Sequence, residues 1–141
     1  MFESFEARLC LLVGGCFFLV ALLTGVWKYR WMVRPPEHRA PFYVDTAHRA
    51  ALLYSFAAVL LAHLVAASPF PRAVNLAAVI APLFFFAVAI ADYILLGLAN
   101  RTENQFRQPS ALATTLMWLL IAGEIGGAGV LLVGFALRAF A

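Results

Sequence analysis

Four long apolar runs, separated by short polar segments, set the pattern of the chain. They cover residues 9–27, 47–67, 76–99 and 111–137. Each reaches the roughly 20 residues a helix needs to cross the hydrocarbon core of a bilayer. The runs are unbroken rather than alternating, which argues against membrane strands. The pattern predicts an all-α integral membrane protein, a single four-helix bundle occupying residues 1–141.

The polar segments carry their own punctuation. Pro35, Pro36 and Pro41 keep the 28–45 loop from continuing as helix. The SPFPRAVN link at 68–75 is short and suits a tight antiparallel turn. Asn100 is placed to end helix three, and Pro109 with Ser110 to start helix four. The first run begins with Glu3 and Glu6 and ends in Trp27-Lys28-Tyr29-Arg30-Trp31. An acidic start and an aromatic, basic finish describe a retained membrane anchor rather than a cleaved signal peptide.

Composition agrees: 65% of residues are hydrophobic and 12% charged, too apolar for a water-soluble domain of this size. The cations divide unevenly. Lys28, Arg30, Arg34, Arg39 and Arg49 flank the first loop, Arg101 and Arg107 the third, while Arg8, Arg72 and Arg138 fall on the other side. The positive-inside rule then puts both termini outside and the two basic loops in the cytoplasm. The net charge of +3 reflects this topology and anionic lipid, with no call for nucleic acid. The expected location is a bacterial inner (cell) membrane.

Chemistry must come from the few polar groups within the apolar runs, since each needs a partner or a purpose in lipid. His48 stands at the start of helix two, and Tyr54 lies roughly 9 Å deeper. Asp92 and Tyr93 lie roughly 10 Å inside the cytoplasmic end of helix three. These four share one half of the bilayer; His63 and Glu124 lie deeper and form a separate pair at most. Plain readings stand beside the functional ones. His48 suits an interfacial histidine beside Asp45, Asp92 a structural pairing with a tyrosine or arginine, and the tyrosines core aromatics. Glu124 suits packing or pairing among the glycines of AGEIGGAGVLLVG, whose small-xxx-small spacing permits close helix approach. Cys10 and Cys16 lack CxxC spacing and read as inert. No HExxH, GxSxG or phosphate loop is present, and the histidines and cysteines give no zinc spacing.

Two stretches carry a resemblance. Ala47-His48 opens helix two, and Asn100-Arg101, Asn104-Gln105-Phe106 and Pro109 lead into a helix four rich in small residues. This order resembles the styrene oxide isomerase family of small four-helix membrane enzymes. The resemblance implies a homotrimer binding haem b near subunit interfaces, with His48 as axial ligand to the iron. It implies a Lewis-acid reaction in which an epoxide ring opens, a hydride migrates to the adjacent carbon and an aldehyde leaves. Around such a haem, Asn104 and Gln105 are cofactor-site candidates by that motif. Arg34, Arg39 or Arg49 suit the propionates, and Asp45 or a loop carbonyl would orient the imidazole. Tyr93, Tyr54 and Asp92 are the catalytic candidates for a small hydrophobic substrate. The chain departs from the family where Tyr54 replaces an asparagine and Phe85 an acid. The expectation is therefore a retained haem site with an altered substrate pocket. Two other readings follow from the residues: a glutathione-dependent membrane transferase, motivated by the basic loop, and a non-enzymatic haem-binding or accessory subunit, motivated by the glycine face.

Overall fold

A computed structural model describes residues 3–140. It contains four helices: α1 (Phe5–Met32), α2 (Phe42–Ala66), α3 (Arg72–Ala99) and α4 (Ala111–Ala139). All four are long and apolar enough to cross a membrane, with mean hydropathy of 2.5, 1.7, 2.4 and 2.0 over an 18-residue stretch of each. The helices outrun the apolar runs by about a turn at several ends. Hydropathy marks only the part suited to lipid, and nothing breaks the backbone of α1 through Lys28, Tyr29 and Arg30 until the loop beyond Met32.

The ends follow local chemistry. Ser4 and Ser110 cap α1 and α4, their hydroxyls accepting from the amides of Ala7 at 3.2 Å and Ala113 at 3.1 Å. Pro41 and Pro71 precede α2 and α3, their fixed φ suiting the entry to a helix. Asn100 closes α3 in the left-handed conformation, φ 46° and ψ 42°, which asparagine tolerates better than most residues. Among the described residues α1 packs chiefly on α2, α3 packs on α2 and α4, and α1 makes no contact with α4. The two central helices thus carry one flanking helix each. Only 11% of the apolar window of α4 is buried, so most of its surface is left to lipid or to another chain.

Small residues set how closely the helices approach. A Cβ on Gly14 of α1 would stand 3.0 Å from the Ala58 Cβ of α2. Gly127 of α4 lies over α3 where Pro82 interrupts the ladder, and a Cβ there would meet the Ala78 carbonyl oxygen at 2.5 Å and Pro82 Cδ at 2.6 Å. Pro82 has no amide hydrogen to give that carbonyl, so the glycine covers a backbone group the helix itself leaves free. Each end is tied as well. Arg72 donates to buried Glu6 at 3.2 Å, joining the starts of α3 and α1. At the opposite end Arg39 reaches Glu103 at 3.6 Å, and the Gln105 amide donates to the Tyr43 hydroxyl at 2.9 Å. Both basic loops therefore meet at one end of the molecule.

Candidate functional site

His48 lies on the face of α2 that packs against α1. Its Nδ1 is 2.8 Å from the main-chain oxygen of Ala21. A ring nitrogen facing a carbonyl oxygen must carry the hydrogen, so Nδ1 donates and Nε2 keeps its lone pair. The imidazole also rests on Gly25: a Cβ at that position would lie 3.0 Å from Cε1 and 3.2 Å from Nδ1. Buried Thr24 donates to Ala21 O at 3.0 Å and to Val20 O at 2.8 Å. The orienting partner of the ring is thus a carbonyl of α1, neither Asp45 nor a loop. Asp45 instead pairs with Lys28 at 2.6 Å and with Arg49 at 3.6 Å.

The other candidates divide between two places. Tyr93, Asp92 and Gln105 line a cavity of about 210 Å³ between α3, α4 and the loop that joins them. Its wall is otherwise mainly apolar, including Phe85, Val88, Phe106, Leu116 and Leu120. Tyr54 does not line this cavity; its ring stacks on Phe86 with centroids 4.1 Å apart and planes 13° apart. His48 does not line it either. Within one chain His48 therefore faces α1, Tyr54 faces α3, and Tyr93 lines the cavity between α3 and α4.

The polar end is shaped by Tyr43, which sequence reasoning passed over, together with candidates it named. Tyr43 stacks on Tyr93 at 6.0 Å and 22° while its hydroxyl holds the Gln105 amide, so one side chain links α2, α3 and the loop over the cavity. Asn104 organises that loop: its side-chain oxygen accepts from the Phe106 amide at 2.9 Å. Arg39 helps to line a bowl of about 420 Å³ with Lys28, His38, Asp45 and Glu103. Arg49 is exposed at its edge, on Asp45. A signal for the α1 partner was present in the spacing of Ala21 and Gly25, four apart, which marks a face where another helix comes close.

Among the described residues, no group of three or more histidine, cysteine, aspartate or glutamate side chains gathers as a metal site. A haem needs none, because its porphyrin supplies four nitrogens and the protein adds an axial ligand. His48, with its tautomer set and Nε2 available, fits that role. Comparison of the chain with protein families, with characterised proteins and with solved structures finds no match.

Proposed function

We propose that the chain is a haem b-dependent membrane isomerase that converts a small hydrophobic epoxide to an aldehyde. The observation that carries this reading is the 2.8 Å contact between His48 Nδ1 and Ala21 O. A backbone acceptor behind an imidazole fixes the ring and raises the basicity of the other nitrogen, the arrangement typical of a ligating histidine. Lys28, Arg39 and Arg49 supply cations near the same end for the propionates. When bound, the ferric group supplies a Lewis-acid position for an oxygen.

What remains for the protein is modest, and this chain has it. An epoxide-to-carbonyl isomerisation is intramolecular and consumes neither water nor a cosubstrate. The site must bind an apolar molecule, orient its oxygen and exclude water that would give a diol. The cavity beside Tyr93 offers an apolar wall for the first task. Asp92, the Tyr93 hydroxyl and Gln105 serve the second. Because His48 packs against α1 while this cavity lies between α3 and α4, the reading includes a homotrimer in which one chain's histidine is completed by a neighbour's α3–α4 side. It also includes both termini outside and the basic loops in the cytoplasm.

The test is the visible spectrum of purified, haem-reconstituted protein. A Soret band that an epoxide analogue shifts is expected, together with loss of retained haem in His48→Ala. A chain that takes up no haem would sink the proposal.

A further inference from the structure

The α3–α4 cavity has two unlike ends. Its wall runs from Phe85 to Tyr93 on α3 and from Leu112 to Leu120 on α4. Eight residues of helix span about 12 Å, so the cavity is a slot lying along the two helices. Helix α3 runs toward the joining loop and α4 away from it. The polar side chains of the wall, Asp92, Tyr93, Gln105 and Ser110, therefore stand at the loop end, and Phe85 and Leu120 at the deep end.

A ring on a glycine closes the deep end. Gly123 follows Leu120 by three residues, on the same face of α4. A Cβ at Gly123 would overlap Cδ2 and Cε2 of the Phe85 ring, so the ring occupies the space a side chain there would take. Phe84 meets the same ring edge-on, with centroids 5.3 Å apart. One turn further along α4, Gly127 presses on Ala78 and Pro82, and the helices are in close contact. The slot ends at Phe85 because that ring fills the last gap before the helices meet.

We infer that Phe85, seated on Gly123, is the floor that sets the length of molecule the cavity accepts. The inference rests on the isomerase reading for the class of ligand, a small uncharged oxygen compound, but the depth of the slot involves no haem. The volume is about 210 Å³. A cavity of about 150 Å³ holds one benzene, so by proportion this one takes on the order of eight or nine non-hydrogen atoms. Phe85 is thus a specificity residue acting by length: it admits a single ring with a short substituent and turns away a second fused ring.

Binding of two carbonyl-labelled ketones to the haem-free, full-length protein in detergent tests this, each followed by NMR against the same micelles without protein. Acetophenone matches the volume, and 2-acetonaphthone adds one fused ring. The parent should prefer acetophenone by about tenfold, because overpacking a filled site is costly. In Phe85→Ala the space down to Gly123 opens, and the preference should vanish or reverse. Phe85→Leu should move it the same way by a smaller factor, which keeps the test decisive if the alanine variant folds poorly. Gly123→Ala works from the other side. Its Cβ drives the ring up into the slot, since Gly127 against Pro82 fills the space beyond, and acetophenone should weaken about tenfold. A parent that holds both ketones equally, or a preference that neither Phe85 variant moves, would overturn the floor. A protein that shows these changes yet takes up no haem keeps the floor and loses the isomerase. One that binds haem and isomerises an epoxide, with a preference blind to Phe85, keeps the isomerase and loses the floor.

Discussion

The two sides of α2 are built differently. Toward α1, small residues bring the backbones together, and His48 is clasped between the Ala21 carbonyl and Gly25. Toward α3, Tyr43 and Tyr54 stack on rings of that helix, and beyond it, between α3 and α4, lies a cavity of about 210 Å³ with Asp92, Tyr93 and Gln105 on its wall. One side has room for a single orientation of one ring. The other has volume and polar groups that a guest could use. A rigid metal ligand needs the first environment, and a substrate that must enter and leave needs the second. On the proposed reading, a fixed group would be held at the α1–α2 seam and a transient molecule on the α3–α4 side.

The strongest way to break that contrast is to crowd the seam. A Cβ at Gly25 already falls 3.0 Å from His48 Cε1, and the γ-carbons of Gly25→Val extend further. The ring must turn away and lose its carbonyl. Haem retention should fall as far as in His48→Ala, read as the ratio of Soret to protein absorbance. Gly25→Ala demands only a small shift and should weaken haem roughly 10- to 100-fold, the usual range for a disturbed supporting contact. Undiminished haem in Gly25→Val would place the ligand elsewhere.

The opposite experiment crowds the α3–α4 side. In Gly127→Val the new side chain meets the Ala78 carbonyl and Pro82, and backbone cannot swing away as a side-chain tip would. The expected cost is about 1–3 kcal/mol, measured by unfolding in mixed micelles, with haem retention little changed. Equal damage to haem binding would show that the two sides do not act separately.

Some of this division is legible in the chain and some is not. The four membrane helices follow from unbroken apolar runs, and Asn100 and Ser110 close and open their helices as their residue types suggest. Depth along the helix placed His48 and Tyr54 in the same half of the bilayer. Depth says nothing of direction: six residues of α-helix rotate the side chain to about 120° from its start, which carries the two residues to different neighbours. That angle was available from helical geometry alone. The spacing of Ala21 and Gly25 marked the α1 face, but the acceptor atom itself was not legible, because a main-chain carbonyl 27 residues away has no signature in residue type. Glu124 stood out as a costly acid in an apolar run, but the burial of its Oε1 away from any hydrogen-bond partner depends on how the helices pack. The roles of Asn104 and Gln105 separate only in three dimensions, one folding its own loop and the other reaching the cavity wall.

A milder change sharpens the comparison at the loop over the cavity. Tyr43→Phe keeps the stack on Tyr93 and removes the hydroxyl that accepts from the Gln105 amide at 2.9 Å. The loss should be about 1 kcal/mol. Hydrogen exchange at Gln105 and its neighbours should quicken by roughly fivefold, the factor that about 1 kcal/mol sets on a local opening, with exchange in α1 unchanged. Uniform quickening along the chain would mean that Tyr43 supports the whole fold rather than the cavity's cover.

The smallest expected effect lies within the seam itself. Ala21 O accepts from His48 Nδ1 at 2.8 Å and from Thr24 Oγ1 at 3.0 Å, and the Thr24 hydroxyl makes the shorter of its two contacts to Val20 O at 2.8 Å. Thr24 therefore draws on the same oxygen that orients the imidazole. A carbonyl has two lone pairs, and sharing them weakens its hold on Nδ1–H. Thr24→Val keeps the branched shape and removes the competing donor. The bond to His48 should strengthen by about 0.5 kcal/mol, Nε2 should donate more electron density to a bound iron, and the ferric state of a bound haem should be favoured. The readout is a slightly more negative midpoint potential at unchanged haem content. A positive shift, or loss of haem, would show that the threonine supports the imidazole instead of competing with it. The close fit of the seam would then depend on its polar contacts as much as on its glycine.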